Sequence, residues 1–248
     1  MKIGVIGLGK LGCSMFAAFA ASGNQVFGFD INPIARNNLR NKIAPVYETD
    51  LQKEINLGLG NFEIMESTSE VLENSEVVYI IVPTPSLDNG TFDTSYLENV
   101  IDEIVDVDFC CKDKLLVITS TVLPGDTRFK LISKVRNRKA YISEINFCYS
   151  PEFIALGSVL NDLKNPDFLL VGEESPNAAD KHIEVMMTIV NDKKIPIRKM
   201  SIESAEMAKI SDPQHVRLPH ISIPTWVLSP SSEPSIQSSN PSSSGPLP

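Results

Sequence analysis

The sequence predicts an α/β protein built on a doubly wound parallel sheet, followed by a segment without regular structure. Two observations support this fold class. Short apolar strand patterns alternate with helical patterns over most of the 248 residues, which is typical of strand–helix–strand units. The first unit also has a glycine-rich turn between its strand and its helix. A chain of this length holds one large α/β domain, or one domain and a piece of another.

The glycine-rich turn, GLGKLG, lies between a predicted strand from Lys2 to Ile6 and a predicted helix from about Lys10 to Ser22. In this spacing one glycine makes the turn, one lets the backbone approach a pyrophosphate, and one lets helix and strand pack closely. The pyrophosphate then lies on N–H groups at the helix N-terminus. We therefore expect a Rossmann-type fold that binds a dinucleotide. The expected contacts in the turn are Gly7, Gly9, Lys10, Leu11 and Gly12.

The second predicted strand, Gln25 to Phe29, ends next to Asp30, which comes eighteen residues after Gly12. A carboxylate there accepts hydrogen bonds from a ribose 2′-hydroxyl and repels a 2′-phosphate, so NAD is favoured over NADP. Arg36 leaves an alternative open, since it lies in the following segment where its cation could neutralise a phosphate. The other interpretation of Arg36 is a solvated arginine on a helix face.

Composition and charge exclude several classes of protein. The apolar content of 42% and the charged fraction of 21% are ordinary for a soluble globular protein. The net charge of -9, without a basic stripe, argues against a nucleic-acid partner. The apolar run from Val77 to Val82 is too short to span a bilayer. Glycines and Lys10 interrupt the signal-like start, Met1 to Ser22, so we expect a cytoplasmic protein without a membrane partner.

The cysteines show neither the spacing of metal ligands nor a disulfide framework. We therefore expect reduced thiols and no metal site. Cys148 lies on a predicted strand, two residues before a candidate active-site segment. A thiol packed in the core is favoured there over a nucleophile. The four cysteines are Cys13, Cys110, Cys111 and Cys148.

The alternation of strands and helices continues after the first unit. The predicted strands are Phe62 to Met65, Val77 to Val82, Leu115 to Thr119, Asn146 to Tyr149, Phe168 to Val171 and Ile195 to Lys199. The predicted helices are Thr68 to Asn74, Ser95 to Val105, Asp126 to Val135, Asn177 to Val190 and Ser201 to Ile210. Ser201 is the expected N-cap of the last helix, and Glu203 and Glu206 suit the positive end of that helix.

The regular pattern ends at Ser211. From Ser211 to Pro248, 38 residues include 11 serines and 8 prolines, and Pro213 cannot continue the preceding helix. Such a segment cannot bury enough apolar surface to offset its chain entropy, so we expect disorder. The change falls inside a helix with a proper start, which indicates a frameshift, a mis-spliced end or a truncated gene.

Two loops that follow predicted strands carry hydroxyl groups suited to binding. In Val82-Pro83-Thr84-Pro85, the prolines fix the loop and Thr84 can present its hydroxyl to a cofactor, with Pro83 beside it. A rigid turn without a ligand is equally compatible with this loop. In STVLPG, Thr121 can hold ribose, nicotinamide or an attacking water. The alternative is a hydroxyl N-cap before a helix that starts with proline.

Two charged residues are candidates for catalysis. Glu152, in Tyr149-Ser150-Pro151-Glu152-Phe153, directly follows a strand and could act as a base or as a water-positioning acid. A glutamate on a surface loop is the alternative. Lys209, on the last predicted helix, offers a cation for a developing oxyanion, whereas a solvated helix lysine is the alternative.

Taken together, these segments resemble the UDP-glucose/GDP-mannose dehydrogenase family, specifically its NAD-binding domain. The resemblance covers residues 1 to about 210 in the order of the family. The matching segments are GLGKLG, Asp30, Pro45-Val46-Tyr47-Glu48, VPTP, Asp88 to Thr94 leading into Tyr96, STVLPG, SPEF, Pro166-Asp167 and Ala205-Glu206-Met207-Ala208-Lys209.

The resemblance implies oxidation of the C6 alcohol of a UDP- or GDP-sugar to a carboxylate with two NAD. It implies that Thr121 touches the cofactor and helps to place water, that Glu152 serves hydrolysis or proton transfer, and that Lys209 stabilises an oxyanion. It also implies an NAD-binding domain over 1–200 and the start of a truncated central helix over 201–210, which leave 211–248 as the tail expected from its composition to be disordered. The family's homo-oligomer would assemble through that helix, of which this chain has only the start.

The sequence departs from the family in three ways. Leu156 and Pro213 stand where the family has a second glutamate and an asparagine, and no GxGGxCxxxD segment supplies a cysteine nucleophile. The chain is therefore expected to bind NAD and, because it lacks that nucleophile, to be inactive alone. The nucleotide-sugar would be a substrate only of a full-length relative. The alternatives are a noncatalytic NAD-binding fragment or pseudogene product, and a two-electron relative such as a β-hydroxyacid dehydrogenase.

Overall fold

The computed structural model of the chain describes residues 1–138, 142, 144–155 and 157–211. The predicted tail lies outside the described residues except for Ser211, and so do Leu156 and Pro213. None of the helices in the described ranges is long and apolar enough to cross a membrane.

In the described part of the chain, eight strands form one sheet in the order β3-β2-β1-β4-β5-β6-β7-β8. The strands are β1 (Lys2–Ile6), β2 (Gln25–Phe29), β3 (Phe62–Ile64), β4 (Val77–Ile80), β5 (Leu115–Ile118), β6 (Asn146–Tyr149), β7 (Leu169–Glu173) and β8 (Ile197–Ser201). The strand order reverses between β1 and β4, which opens a crevice at the carboxyl ends of the strands. The doubly wound α/β class is confirmed.

One pair of strands departs from the predicted parallel sheet. Strands β6 and β7 run antiparallel, with Cys148 opposite Glu173 and Tyr149 opposite Gly172. An antiparallel neighbour needs a connection that returns at the same edge of the sheet. The connection from Ser150 to Phe168 does so, and it therefore keeps the SPEF segment at the carboxyl edge of β6.

Helices cover both faces of the sheet. They are α1 (Lys10–Ala21), α2 (Pro33–Arg40), α3 (Leu51–Leu57), α4 (Thr68–Asn74), α5 (Ser95–Val105), α6 (Ser133–Arg136), α7 (Val159–Lys164), α8 (Pro176–Ile189) and α9 (Ile202–Ile210). The short helices α3 and α7 were not predicted. The helix predicted from Asp126 begins as a π-helix, Thr127–Ile132, a form that often occurs at functional sites.

Side chains of the central strands are buried on both faces, as expected of parallel strands covered by helices. Along β4, Val77 and Tyr79 join a core cluster that includes residues of α1 and α8. Val78 and Ile80 join a second cluster that includes residues of α4 and α5. The two cores hold the strand ends in place, and the loops that leave those ends carry the candidate site.

Candidate functional site

The glycine turn after β1 has two positions that tolerate no side chain. Gly7 has a φ of 93°, and a Cβ atom there would lie 2.1 Å from the Ile81 carbonyl oxygen. A Cβ on Gly12 would lie 1.9 Å from the Gly7 carbonyl oxygen. A Cβ on Gly9 would meet no described atom within 4 Å. Gly7 and Gly12 therefore allow close packing, and Gly9 leaves open space beside the backbone.

That open space lies at the N-terminus of α1. Gly9 is the N-cap, no side chain caps the helix, and its first turn contains no acidic residue. Lys10 is exposed and Leu11 is half-buried. Uncapped N–H groups and the helix dipole favour an anion there. These residues fit the pyrophosphate of a dinucleotide.

Asp30 lies beside the same turn. Its carboxylate accepts the Leu8 N–H at 2.6 Å and the Asn32 N–H at 2.8 Å. These bonds fix the carboxylate, which is half-buried, at the carboxyl end of β2 next to the glycine turn. This is where an acid can bind a ribose hydroxyl of the cofactor.

Arg36 lies behind Asp30 and not on an open helix face. Its guanidinium donates to the Asp30 carbonyl oxygen at 2.7 Å, lies 5.4 Å from the centre of the Phe29 ring, and forms an ion pair with Glu66 at 3.5 Å. Its side chain is only 17% exposed, so it is not a solvated surface arginine. Arg40 pairs more closely with the same Glu66, at 2.6 Å, so one carboxylate faces two guanidinium groups. The geometry shows Arg36 supporting the backbone at Asp30, and its contact with a cofactor phosphate stays a prediction.

Hydroxyl groups tie the VPTP and STVLPG loops together. The Ser120 hydroxyl donates to the Val82 carbonyl at 2.7 Å and accepts the Val82 N–H at 3.0 Å. The Thr84 hydroxyl donates to the Thr121 carbonyl at 2.7 Å, so only its lone pairs remain available to a ligand. Pro83 is exposed and Thr121 is half-buried, so both can contact a molecule in the crevice.

Glu152 and Lys209 lie together, although 57 residues separate them. The Lys209 ammonium donates to the Glu152 carbonyl at 2.9 Å and lies 4.7 Å from the centre of the Phe153 ring. Lys209 is 2% exposed, so it is not a solvated helix lysine. Burial raises the pKa of the Glu152 carboxyl to about 7, while the Lys209 charge opposes that rise. A carboxyl with such a pKa can both accept and donate a proton near neutral pH.

The sequence did not reveal the position of Glu206. It was expected to suit the N-terminus of its own helix. Instead its fully buried carboxylate accepts the Gly125 N–H at 2.6 Å and the Thr127 N–H at 3.0 Å, at the start of the π-helix. The available signal was periodicity, because Glu206 and Lys209 share the buried face of α9 with Ile202 and Ala205.

Three of the four cysteines, Cys13, Cys111 and Cys148, are packed thiols, whereas Cys110 is exposed. Cys13 and Cys148 are fully buried, and burial raises the pKa of each thiol to about 12. Such thiols are poor nucleophiles because almost none is ionised at neutral pH. Among the described residues, no cluster of side chains could hold a metal ion.

All of these loops lie along one edge of the sheet. The glycine turn leaves β1, and the VPTP, STVLPG and SPEF segments leave its successive neighbours β4, β5 and β6. The Ser150 N–H donates to the Ile118 carbonyl at 2.9 Å, which joins the ends of β5 and β6. A doubly wound sheet with an uncapped glycine turn after β1 and an acid at the end of β2 is the arrangement of a dinucleotide-binding domain.

The sequence model of the "UDP-glucose/GDP-mannose dehydrogenase family, NAD binding domain" matches residues 1–190. The chain belongs to this family, and NAD is the cofactor of the domain.

The relatives of the chain carry consistent names. It is 27% identical over 217 residues to GDP-mannose 6-dehydrogenase of Pseudomonas putida, a match that covers 84% of this chain and 48% of the relative. A GDP-mannose dehydrogenase structure from Pseudomonas aeruginosa matches with a TM-score of 0.76 at 25% identity, covering 85% of this chain and 49% of that one. A UDP-glucose dehydrogenase structure from Pyrobaculum islandicum matches with a TM-score of 0.75 at 27% identity, covering 85% and 48%. The chain thus spans about half the length of these relatives.

Proposed function

We propose that this chain is the NAD-binding part of an oxidoreductase that converts the C6 alcohol of a UDP- or GDP-sugar to a carboxylate. The contact between Glu152 and Lys209, on the same sheet edge as the glycine turn, is the observation that carries this proposal. The names of the relatives support the substrate class. The family match also favours this activity over that of a two-electron β-hydroxyacid dehydrogenase.

The cofactor is held by one group of residues at the β1 end of the crevice. We infer that Gly9, Lys10 and the first turn of α1 bind its pyrophosphate, while Asp30 binds the adenosine ribose. Thr84 and Thr121 face the crevice from the next two strand ends. When bound, NAD supplies the hydride acceptor for the oxidation.

The chemical residues lie at the β5–β6 end of the same edge. We propose that Glu152 accepts and returns protons, since its raised pKa keeps both protonation states populated near neutral pH. The buried Lys209 ammonium would stabilise negative charge that develops on the substrate oxygen, an effect that is strong where water is excluded. Thr121 would orient the water molecule that supplies the second oxygen of the product carboxylate.

We propose further that the 248-residue polypeptide alone binds NAD without completing the oxidation. Carrying an aldehyde covalently through a second oxidation, as a thiohemiacetal and then a thioester, requires an accessible thiolate. Cys13, Cys111 and Cys148 are buried and have raised thiol pKa values. Cys110 is exposed, but it precedes β5 and lies at the opposite edge of the sheet. A noncatalytic NAD-binding module is therefore the second candidate function.

Calorimetric titration of the purified chain with NAD tests the binding proposal. We expect saturable binding, and Asp30→Ala should weaken it by about tenfold or more because a charged hydrogen-bond acceptor for the ribose is lost. Asp106→Ala, at an exposed position after α5, is the matched control and should leave the affinity unchanged. Absence of binding, or equal affinity of the Asp30 variant and the unmodified chain, would refute it.

The activity proposal is tested with UDP- and GDP-sugars in the presence of NAD. We expect no steady production of NADH by this polypeptide, as followed by absorbance. Sustained turnover would show that it is catalytic by itself.

A cytoplasmic location and the absence of a nucleic-acid partner stay predictions.

A further inference from the structure

A chain of buried hydrogen bonds joins three elements of the fold beneath the SPEF segment. The Tyr79 hydroxyl of β4 lies 3.0 Å from Nδ1 of His182 on α8, and Nε2 of that ring lies 2.9 Å from the Ser150 hydroxyl. Ser150 in turn contacts the Leu170 carbonyl at 3.1 Å. Tyr79 and His182 are fully buried and Ser150 is 3% exposed. Residues far apart in sequence are thus linked where no water competes.

The Leu170 carbonyl at the end of this series determines which group donates and which accepts in every hydrogen bond. A carbonyl oxygen only accepts, so the Ser150 hydroxyl must donate to Leu170. The Ser150 oxygen then accepts from the Nε2–H of His182, and the unprotonated Nδ1 accepts from Tyr79. Burial lowers the pKa of His182 to about 3, which keeps the ring neutral. One tautomer of a neutral histidine therefore satisfies the whole chain.

Ser150, within this series of hydrogen bonds, lies two residues before Glu152 in the sequence. Pro151 connects the two, and its fixed φ together with the restriction it places on Ser150 passes the orientation of Ser150 along the backbone. On the other side, the Lys209 ammonium holds the Glu152 carbonyl. Burial raises the pKa of Tyr79 well above its ordinary value, and the charge of Glu152 adds to that rise.

We propose that His182 is a positioning residue for Glu152. In its neutral Nε2–H form it fixes Ser150 and, through Pro151, the backbone at Glu152, which Lys209 holds from the other side, and it thereby restrains the Glu152 carboxyl. The importance of this role for catalysis rests on the proposed function, in which Glu152 transfers protons. The effect of His182 on the Glu152 carboxyl does not depend on that function, and it can be measured without turnover.

The proposal is tested by the pKa of the Glu152 carboxyl, measured by carbon NMR with the signal assigned through Glu152→Gln. His182→Leu removes both hydrogen bonds of the ring, whereas His182→Gln keeps one acceptor and one donor. The groups that face Glu152, Lys209 and Tyr79, are the same in both variants. We expect the leucine variant to lower the Glu152 pKa from about 7 by about one unit or more, since a released carboxyl gains water. In the glutamine variant the Glu152 pKa should return most of the way to its value in the unmodified protein.

Two further variants separate positioning from loss of packing. Ser150→Ala breaks the link next to Glu152 and should lower the same pKa even if the leucine variant fails to fold. Tyr79→Phe removes only the far link, keeps the His182–Ser150 bond, and should leave the Glu152 pKa near its original value. An unchanged Glu152 pKa in folded Ser150→Ala, or no recovery with glutamine relative to leucine, would overturn the proposal.

Nitrogen NMR of the unmodified chain tests the tautomer directly. We expect a neutral His182 ring protonated at Nε2 throughout the neutral pH range, and a charged ring or an Nδ1–H tautomer would contradict the proposal. NAD titration of the same samples separates this test from that of the proposed function. Failure of the unmodified chain to bind NAD would count against the function, whereas the Glu152 pKa series would still decide the role of His182.

Discussion

The Glu206 carboxylate accepts the backbone N–H of Gly125 at 2.6 Å, across 81 residues of sequence. Its other oxygen accepts the N–H of Thr127, and Glu203 on the same helix pairs with Arg128. Helix α9 therefore holds the start of the π-helix just beyond Thr121. The same helix contacts the Glu152 segment through Lys209. One short helix thus fixes both loops of the candidate catalytic site.

Removing the Glu206 carboxylate should destabilise the fold strongly. Glu206→Ala leaves the N–H groups of Gly125 and Thr127 buried without acceptors, and we expect a loss of about 2 to 5 kcal/mol in the free energy of unfolding. Denaturant unfolding followed by circular dichroism measures this loss. Glu203→Ala is the control, since its ion pair is about one third exposed and should contribute less than about 1 kcal/mol. Equal losses in the two variants would contradict this account.

The glycines of the turn should separate packing from cofactor binding. In Gly12→Ala, the added Cβ collides with the Gly7 carbonyl oxygen, so we expect a loss of about 3 kcal/mol or more in stability. In Gly9→Ala, the methyl group enters open space, and stability should change by less than about 1 kcal/mol. NAD affinity should nevertheless fall in Gly9→Ala, because the methyl group occupies the approach of the pyrophosphate. A stable Gly9 variant with full NAD affinity would place the cofactor elsewhere.

The buried ring of His182 should make the fold sensitive to acid. Its pKa is about 3 in the folded chain and about 6.5 when the chain is unfolded, so between these values the unfolded state binds the additional proton. The contribution of His182 is fully present above about pH 6.5 and is lost at up to about 1.4 kcal/mol per pH unit as the pH falls toward 3. Unfolding free energies measured across this range should show a flatter acid limb in His182→Gln.

Glu152 acts in the opposite direction within part of that range. Its pKa of about 7 exceeds its ordinary value, so the folded state binds more protons between pH 4.5 and 7. The contribution of Glu152 therefore declines as the pH rises through this window. Comparing each variant with the unmodified chain at every pH separates the two effects. An acid limb that is identical with and without His182 would show that the ring is protonated in the folded state.

The sequence predicted those parts of the molecule that depend on local patterns. The spacing of Gly7 and Gly12 predicted the first turn and helix, and Ser201 does cap the last helix by accepting the Ser204 N–H at 3.2 Å. The antiparallel direction of β7 could not be predicted, because a long connection can return at either edge of a sheet. Local patterns also do not specify partners distant in sequence, such as Tyr79 and His182 or Glu206 and Gly125.

Replacing Lys209 should change the protonation of Glu152 in a predictable direction. The Lys209 charge opposes the effect of burial, so Lys209→Met should raise the Glu152 pKa above about 7. The methionine side chain has similar length and can fill the buried space beside Phe153, which limits the loss of packing. Lys112→Met, at an exposed position, is the matched control and should leave the pKa unchanged. Carbon NMR titration of Glu152 checks both variants. If the Glu152 pKa stays constant or falls in Lys209→Met, the ammonium does not act on the carboxyl. Because His182→Leu is expected to move the same pKa downward, opposite shifts in the two variants would separate the electrostatic effect of Lys209 from the positional effect of His182.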